Sequence, residues 1–171
     1  MKKFMIASIS ILLVVILGYL FRDSISEIPS RLANYHHTGR ITVTVDGTKM
    51  DLEGTELLLL SNTGEVVDKA IISDSEFKIR KGIYGQNLFR FSVPNDDVGE
   101  ILVEFGHFNT NWWHVCKYGV EVEITANHDN TVTTKINTQM TAEGNQTNFK
   151  NEKTLTAEDH VISSVIDLNE G

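Results

Sequence analysis

The sequence predicts an all-β protein: an antiparallel β-sandwich of about eight or nine strands behind an N-terminal transmembrane helix or signal segment. Two observations lead to this prediction. Residues 4–21 form an uncharged run of 18 residues, and residues 40–138 form a series of short alternating segments separated by turn residues. Strands at this spacing, with no helical periodicity between them, are typical of an antiparallel sandwich or barrel.

The N-terminal segment predicts a membrane anchor. Lys2 and Lys3 precede the uncharged run, and a helix of that length reaches about 27 Å, close to the thickness of the hydrocarbon layer. Because the apolar part of a cleaved signal is usually about 7–15 residues long, we favour an uncleaved, single-pass anchor in the cell membrane. The basic residues before the run predict a cytoplasmic N-terminus and an exported remainder. The alternative is a secreted protein, cleaved near Ser26.

The chain divides into four segments. Residues 1–21 are the transmembrane anchor or export signal, residues 22–39 a linker, residues 40–138 the β-sandwich domain and residues 139–171 a tail. The linker is weakly patterned. Residues 139–154 of the tail are polar and poor in branched apolar residues, whereas residues 156–168, TAEDHVISSVIDL, could form either a short capped helix or a strand. A segment of that composition buries too little apolar surface to become ordered, so we expect a flexible tail.

The strands of the predicted domain are recognised by their alternation. The segments ITVTV, EFKIR, NLFRFSV and EILVEF each place apolar side chains on one face. The segment TELLLL is apolar on both faces, as expected for an internal strand. A hairpin is predicted over VEVEITANHDNTVTTKIN, with its turn near residues 127–130.

Composition and charge exclude several kinds of function. The formal net charge is −8 at pH 7, and an acidic body repels phosphate backbones, so we expect no nucleic-acid partner. The single cysteine cannot form an intramolecular disulfide. The sequence contains neither a glycine-rich phosphate loop nor a serine nucleophile elbow. We therefore assign no catalytic residue and no cofactor.

The segment NWWHVCKYG, residues 111–119, contains both tryptophans and the only cysteine. In an extended conformation His114 and Cys116 share a face with Tyr118, and that face is otherwise apolar, so we predict that Cys116 packs in the core. A metal site is the alternative, because a histidine and a cysteine two residues apart can bind one zinc ion, and His107 on the preceding strand offers a third ligand. Zinc sites use three or four protein ligands and the chain has no second cysteine, so the packing role is favoured.

A familiar order of strands and turns covers residues 41–93. A glycine turn follows the first strand, a leucine-rich strand ends at a second glycine turn, and an acidic turn precedes a phenylalanine strand. This order resembles the transthyretin-like, or carboxypeptidase regulatory-like, β-sandwich, a family that includes the B-type repeats of Gram-positive surface proteins. The resemblance is carried by Gly47, Leu52, Gly54, Leu57, Leu59, Gly64, Asp74, Phe77, Ile79, Phe89 and Phe91.

The sequence also departs from that family. Ser75 and Glu76 stand where the family usually has a glycine before its phenylalanine, and the first strand, ITVTV, lacks the lysine that forms an isopeptide bond in many of the surface repeats. We therefore expect no isopeptide bond. The resemblance implies a module that binds, spaces or stiffens and does not imply catalysis.

These observations together predict a membrane-anchored, extracytoplasmic β-sandwich module with a binding or envelope-associated structural role. It would contact the membrane through residues 4–21 and a protein partner at the cell envelope. Two alternatives stay open. One is a secreted carrier of a small ligand, and the other is a metal-dependent protein that uses His107, His114 and Cys116.

Overall fold

A computed structural model of the protein describes residues 37–81, 85–109, 115–127, 129–142 and 144–167. The predicted anchor, residues 1–21, and nearly all of the predicted linker lie outside the described residues. Within the described ranges, no helix has the length and apolar character needed to cross a membrane.

The described residues form eleven strands arranged in two sheets. Sheet A has the strand order β10-β9-β8-β1-β2, with β5 also paired to β1, and sheet B has the order β11-β7-β6-β3-β4. The strands are β1 (His37–Val45), β2 (Thr48–Lys49), β3 (Glu56–Leu60), β4 (Val66–Ile71), β5 (Glu76–Ile79), β6 (Gly85–Asn95), β7 (Gly99–Asn109), β8 (Cys116–Ala126), β9 (Val132–Ala142), β10 (Asn145–Leu155) and β11 (Val161–Asp167).

The predicted all-β class is confirmed, but the prediction of a purely antiparallel sandwich is wrong. Strand β1 runs parallel to β8 along its whole length, from the pair His37–Cys116 to the pair Val45–Ile124. Strand β11 likewise runs parallel to β7. Both sheets are therefore mixed. Alternation within a segment identifies a strand but carries no information about a neighbour many residues away. The two parallel pairs could therefore not be predicted from the sequence.

The expectation of a flexible tail after residue 138 is also wrong for the described residues. They form the end of β9, all of β10 and all of β11. Strand β10 pairs with β9 over its full length, although most of its side chains are exposed. Strand β11 inserts Ile162 and Ile166 into the core. An edge strand such as β10 is stabilised by its backbone ladder and needs no apolar face. Its polar composition therefore gave no sign that it forms a strand.

The core lies between the sheets and is built from the predicted alternating faces. In β8 the predicted inward positions, from Cys116 to Ile124, are all buried, whereas Lys117 and Glu121 are exposed. The aromatic centre is formed by phenylalanines of β5, β6 and β7, and the rings of Phe89 and Phe105 stack with centroids 5.2 Å apart. Burial of side chains of this size stabilises the fold by roughly 1.5–3 kcal/mol each.

Three strands of sheet A, β1, β5 and β8, approach one another closely beside Gly39 of β1. A Cβ atom at this position would lie 2.6 Å from the Tyr118 carbonyl oxygen and 2.7 Å from a ring carbon of Phe77. Both distances are shorter than any normal contact, so only glycine allows β1 to lie here. The close approach fixes the start of β1 against β8.

One end of the sandwich contains the start of β1. We call it the proximal end and define it by His37, Cys116 and Ala142 of sheet A, which are neighbours in register, and by the paired residues Gly85 and Asn109 of sheet B. The ring centroids of His37 and His107 lie 5.6 Å apart, which joins the two sheets at this end.

Candidate functional site

A cluster of polar side chains is buried inside the proximal end. We call it the buried polar cluster. It consists of five residues from four strands, each between 0% and 4% exposed: His37, Asn87, His107, Cys116 and Tyr118. Buried polar groups in proteins are normally hydrogen-bonded, so the cluster is the first place to look for chemistry.

The strand alternation explains how these side chains reach the interior. His107 continues the inward face of β7 after Val103 and Phe105, and Cys116 begins the inward face of β8. His37 is the register partner of Cys116 in the neighbouring parallel strand, so the two side chains lie on the same face of sheet A. The sequence reading predicted the inward positions of His107 and Cys116.

His107 is the centre of the hydrogen-bonded contacts. Its Nδ1 atom is hydrogen-bonded to the Tyr118 hydroxyl. Its Nε2 atom lies 3.5 Å from Nδ2 of Asn87 and 3.9 Å from Sγ of Cys116. An amide NH2 group can only donate, so the Asn87 contact assigns the acceptor role to Nε2 and the ring proton to Nδ1, which donates it to the Tyr118 oxygen. Both ring nitrogens of His107 are thus engaged.

The ring of His37 packs against aromatic side chains of the core. Its centroid lies 5.1 Å from that of Phe89 in an edge-to-face arrangement and 6.1 Å from that of Tyr118. Edge-to-face contacts of this kind are favourable because the positive ring edge meets the negative ring face. His37 therefore connects the polar cluster to the aromatic centre of the core.

The cluster holds Tyr118 in its neutral form. Burial raises the pKa of the Tyr118 hydroxyl well above its ordinary value of 10.0, and the nearby Cys116 raises it further. An ionised phenolate would have no water around it at this position, so the folded state disfavours it. The hydroxyl is consequently a permanent hydrogen-bond group over the physiological pH range.

This geometry limits what the cluster can do. Cys116 is 0% exposed, whereas a nucleophilic thiol needs an accessible, electropositive setting. His107 and Cys116 supply two nearby donor atoms, but the described residues contain no group of three or more His, Cys, Asp or Glu side chains that is suited to a metal ion. The other proposed ligand, His114, lies outside the described residues.

Two members of the cluster were missed from the sequence. His37 was assigned to the linker, because it precedes the first alternating segment. Asn87 precedes the segment LFRF and shares the inward face of β6 with Phe89. A polar residue in phase with an apolar alternation is a usable signal, and it was present for Asn87.

The outer surface offers concavities of a different character. One of about 380 Å³ lies on the outer face of sheet A, where β8, β9 and β10 meet. Its charged lining residues are Glu121, Glu123, Lys135, Lys150 and Glu152, and an ion pair of 3.6 Å joins Lys135 to Glu152. Mixed charges of this kind suit a polar protein surface better than an apolar small molecule.

Comparisons with known proteins add no relative to this description. The chain matches no protein-family model, no curated protein and no solved structure. The likeness to the transthyretin-like sandwich stays a prediction.

Proposed function

We propose that this protein is a membrane-anchored, extracytoplasmic β-sandwich module whose role at the cell envelope is binding or structural. One observation carries the proposal: among the described residues, the side chains best suited to catalysis, His107 and Cys116, are fully buried. The parts that can meet another molecule are the outer sheet faces, the sheet edges and the turns. These are the working surfaces of a binding or spacing module.

The position of β1 supports a structural connection to the anchor. The chain passes from the apolar run, through residues 22–36, directly into β1. Strand β1 is internal to sheet A, with β8 on one side and β5 and β2 on the other. The segment nearest to the membrane is therefore also one of the most firmly held strands of the domain.

The topology is tested by protease treatment of intact spheroplasts that express the full chain. We expect the domain to be digested from outside and the N-terminal fragment to stay in the membrane pellet after alkaline carbonate extraction. Leu12→Arg places a charge in the centre of the apolar run and is expected to release the chain from the pellet. Full protection of the domain from protease contradicts the proposal.

The same fractions test the secreted alternative. Cleavage near Ser26 would place the domain in the medium, with a mass lower than that of the full chain by the length of the removed segment. A carrier would also need an apolar cavity, whereas the concavity on sheet A is lined mainly by charged side chains.

The distance of 3.9 Å between His107 Nε2 and Cys116 Sγ favours a second candidate function, metal binding. Elemental analysis of protein purified without chelator tests it. Zinc near one equivalent, lost in Cys116→Ala and in His107→Ala but kept in the control His160→Ala, would make this candidate the leading one. His160 is a suitable control because it lies in the turn between β10 and β11, where its ring contacts the Ala157 carbonyl.

A further inference from the structure

The sheet edges of the described residues differ in how they are protected against pairing with another chain. Strand β2 has only two residues. On β4, the carbonyl of Val67 accepts a hydrogen bond from Lys81 Nζ. On β11, the carbonyls of Val161 and Ser163 accept hydrogen bonds from the side chains of Lys153 and Asn151. Short strands and capping side chains are usual defences of an edge.

Among the residues that the structure describes, none provides such a defence for the first half of β10. Residues 145–150 are all exposed, and Lys150 is the only charged residue among them. The stretch is paired to β9 on one side, and contains neither proline nor a register shift. Phe149 keeps 42% of its surface exposed. A long, flat edge with a half-uncovered aromatic side chain is a template for strand addition.

We propose that this half of β10 pairs antiparallel with the same strand of a second copy, about a two-fold axis at Asn148. When the axis lies at a residue, that residue stands opposite itself, and the outer faces of the two A sheets lie on the same side of the joined sheet. An axis between two residues would instead place the outer face of one copy beside the inner face of the other. The side chains of Asn151 and Lys153 bind β11, so pairing cannot extend far beyond residue 150. An axis at Asn148 pairs residues 146–150 of one copy with the same residues of the other, which reaches Lys150 and leaves only Asn145 of the exposed stretch unpaired.

The two copies are complementary in this register. Phe149 stands opposite Thr147 of the second copy, and Lys150 stands opposite Gln146 of the second copy, so no like charges meet. The aromatic residue gains a β-branched cross-strand neighbour, a favourable pair in antiparallel sheets. The Phe149 side chain lies on the inner face of sheet A, because its register partner Thr138 is buried on that face. Pairing therefore covers the apolar surface that β10 leaves exposed.

The arrangement is also compatible with two anchors in one membrane, although it does not depend on the proposed anchor. His37 lies level with Asn145, three residues from the axis and three strands away from β10. With about 4.8 Å between strands and 3.4 Å per residue along a strand, the two His37 residues lie about 40 Å apart. Both are near the middle of the dimer when position is measured along the strand direction. The far ends of the two sandwiches point in opposite directions.

Disulfide crosslinking of the full chain in detergent micelles tests the axis. We expect Asn148→Cys to crosslink to itself under mild oxidation, because directly opposed residues lie within disulfide distance. Gln146→Cys alone is expected not to crosslink, but to do so when mixed with Lys150→Cys. Wild-type protein is the background control, since its one cysteine is buried. Gln139→Cys, exposed on neighbouring β9, is the control for random collision.

Mass measurement by light scattering completes the test. We expect the wild-type chain to reach the mass of a dimer as its concentration rises, and Phe149→Lys to stay monomeric with an unchanged circular dichroism spectrum. A wild-type chain that is monomeric at every concentration overturns the proposal, even if an added peptide binds to β10. Equal crosslinking of Gln139→Cys and Asn148→Cys overturns it as well.

Discussion

Replacement of Tyr118 by phenylalanine isolates one hydrogen bond in the buried polar cluster. The ring is retained, so its contacts with Phe89 and Phe105, at centroid distances of 5.4 and 5.5 Å, are preserved. The hydroxyl is lost, and Nδ1 of His107 is left without that partner at a position with 0% exposure. An unsatisfied buried polar group costs about 1–3 kcal/mol, so Tyr118→Phe should lower the free energy of unfolding by about 2 kcal/mol at pH 7.

The pH dependence of this difference is more diagnostic than its size. Because burial raises the pKa of the Tyr118 hydroxyl, the folded protein keeps its proton above pH 10.0, whereas the unfolded chain releases it. The wild-type protein therefore loses stability as the pH rises past the unfolded pKa, by about 1.4 kcal/mol per pH unit for this one group. Tyr118→Phe lacks that loss, so the advantage of the wild type should shrink as the pH rises above 10.

Urea unfolding of both proteins between pH 7 and pH 11.5, in the same detergent, measures this difference. Other tyrosines and basic groups titrate equally in the two proteins and cancel. A free-energy difference that stays constant across the range would show that Tyr118 ionises as easily in the folded state as in the unfolded chain. That result would refute the burial of its hydroxyl.

Three further predictions concern packing and are measured by urea unfolding of the full chain. Gly39→Ala should cost about 1–3 kcal/mol, because its Cβ would lie 2.6 Å from a backbone oxygen; an unchanged midpoint contradicts the close approach. Cys116→Ala should cost about 1 kcal/mol, because it removes a small buried group; an unchanged midpoint would place the thiol outside the packed core. Truncation after Thr156 removes Ile162 and Ile166, and the loss of each buried isoleucine side chain destabilises a fold by about 2–5 kcal/mol. The truncated chain should therefore show no cooperative unfolding transition. A transition that stays intact would show that the tail is dispensable.

The sequence was most informative where a strand has one buried and one exposed face. In β8 the alternation predicted the inward positions of Cys116 and Tyr118, and in β7 it predicted that of His107. Each of these strands has a neighbour on both sides and contributes to the core, so composition follows geometry along the whole strand.

The sequence was least informative where stability comes from partners that are distant in the chain. Strand β10 has hardly any buried side chain and depends on its ladder with β9, so its polar composition resembled that of a flexible segment. The burial of His37 arises from a parallel pairing with a strand that begins at Cys116, far along the chain. No local pattern records such a pairing, and the polar cluster could therefore be predicted only in part.

The direction of β1 has a mechanical consequence. A pull on the chain ahead of His37 acts along the strand axis, and β1 is held by parallel pairing with β8 over its full length. The ladder bonds then share the tension and must break together, which is shear loading. Strand β10 has a backbone ladder on one side only, with β9, and a force directed away from that ladder can peel it one bond at a time. Tension transmitted from the N-terminal side therefore meets one of the most resistant strands of the sandwich, while the edge strands yield at lower force.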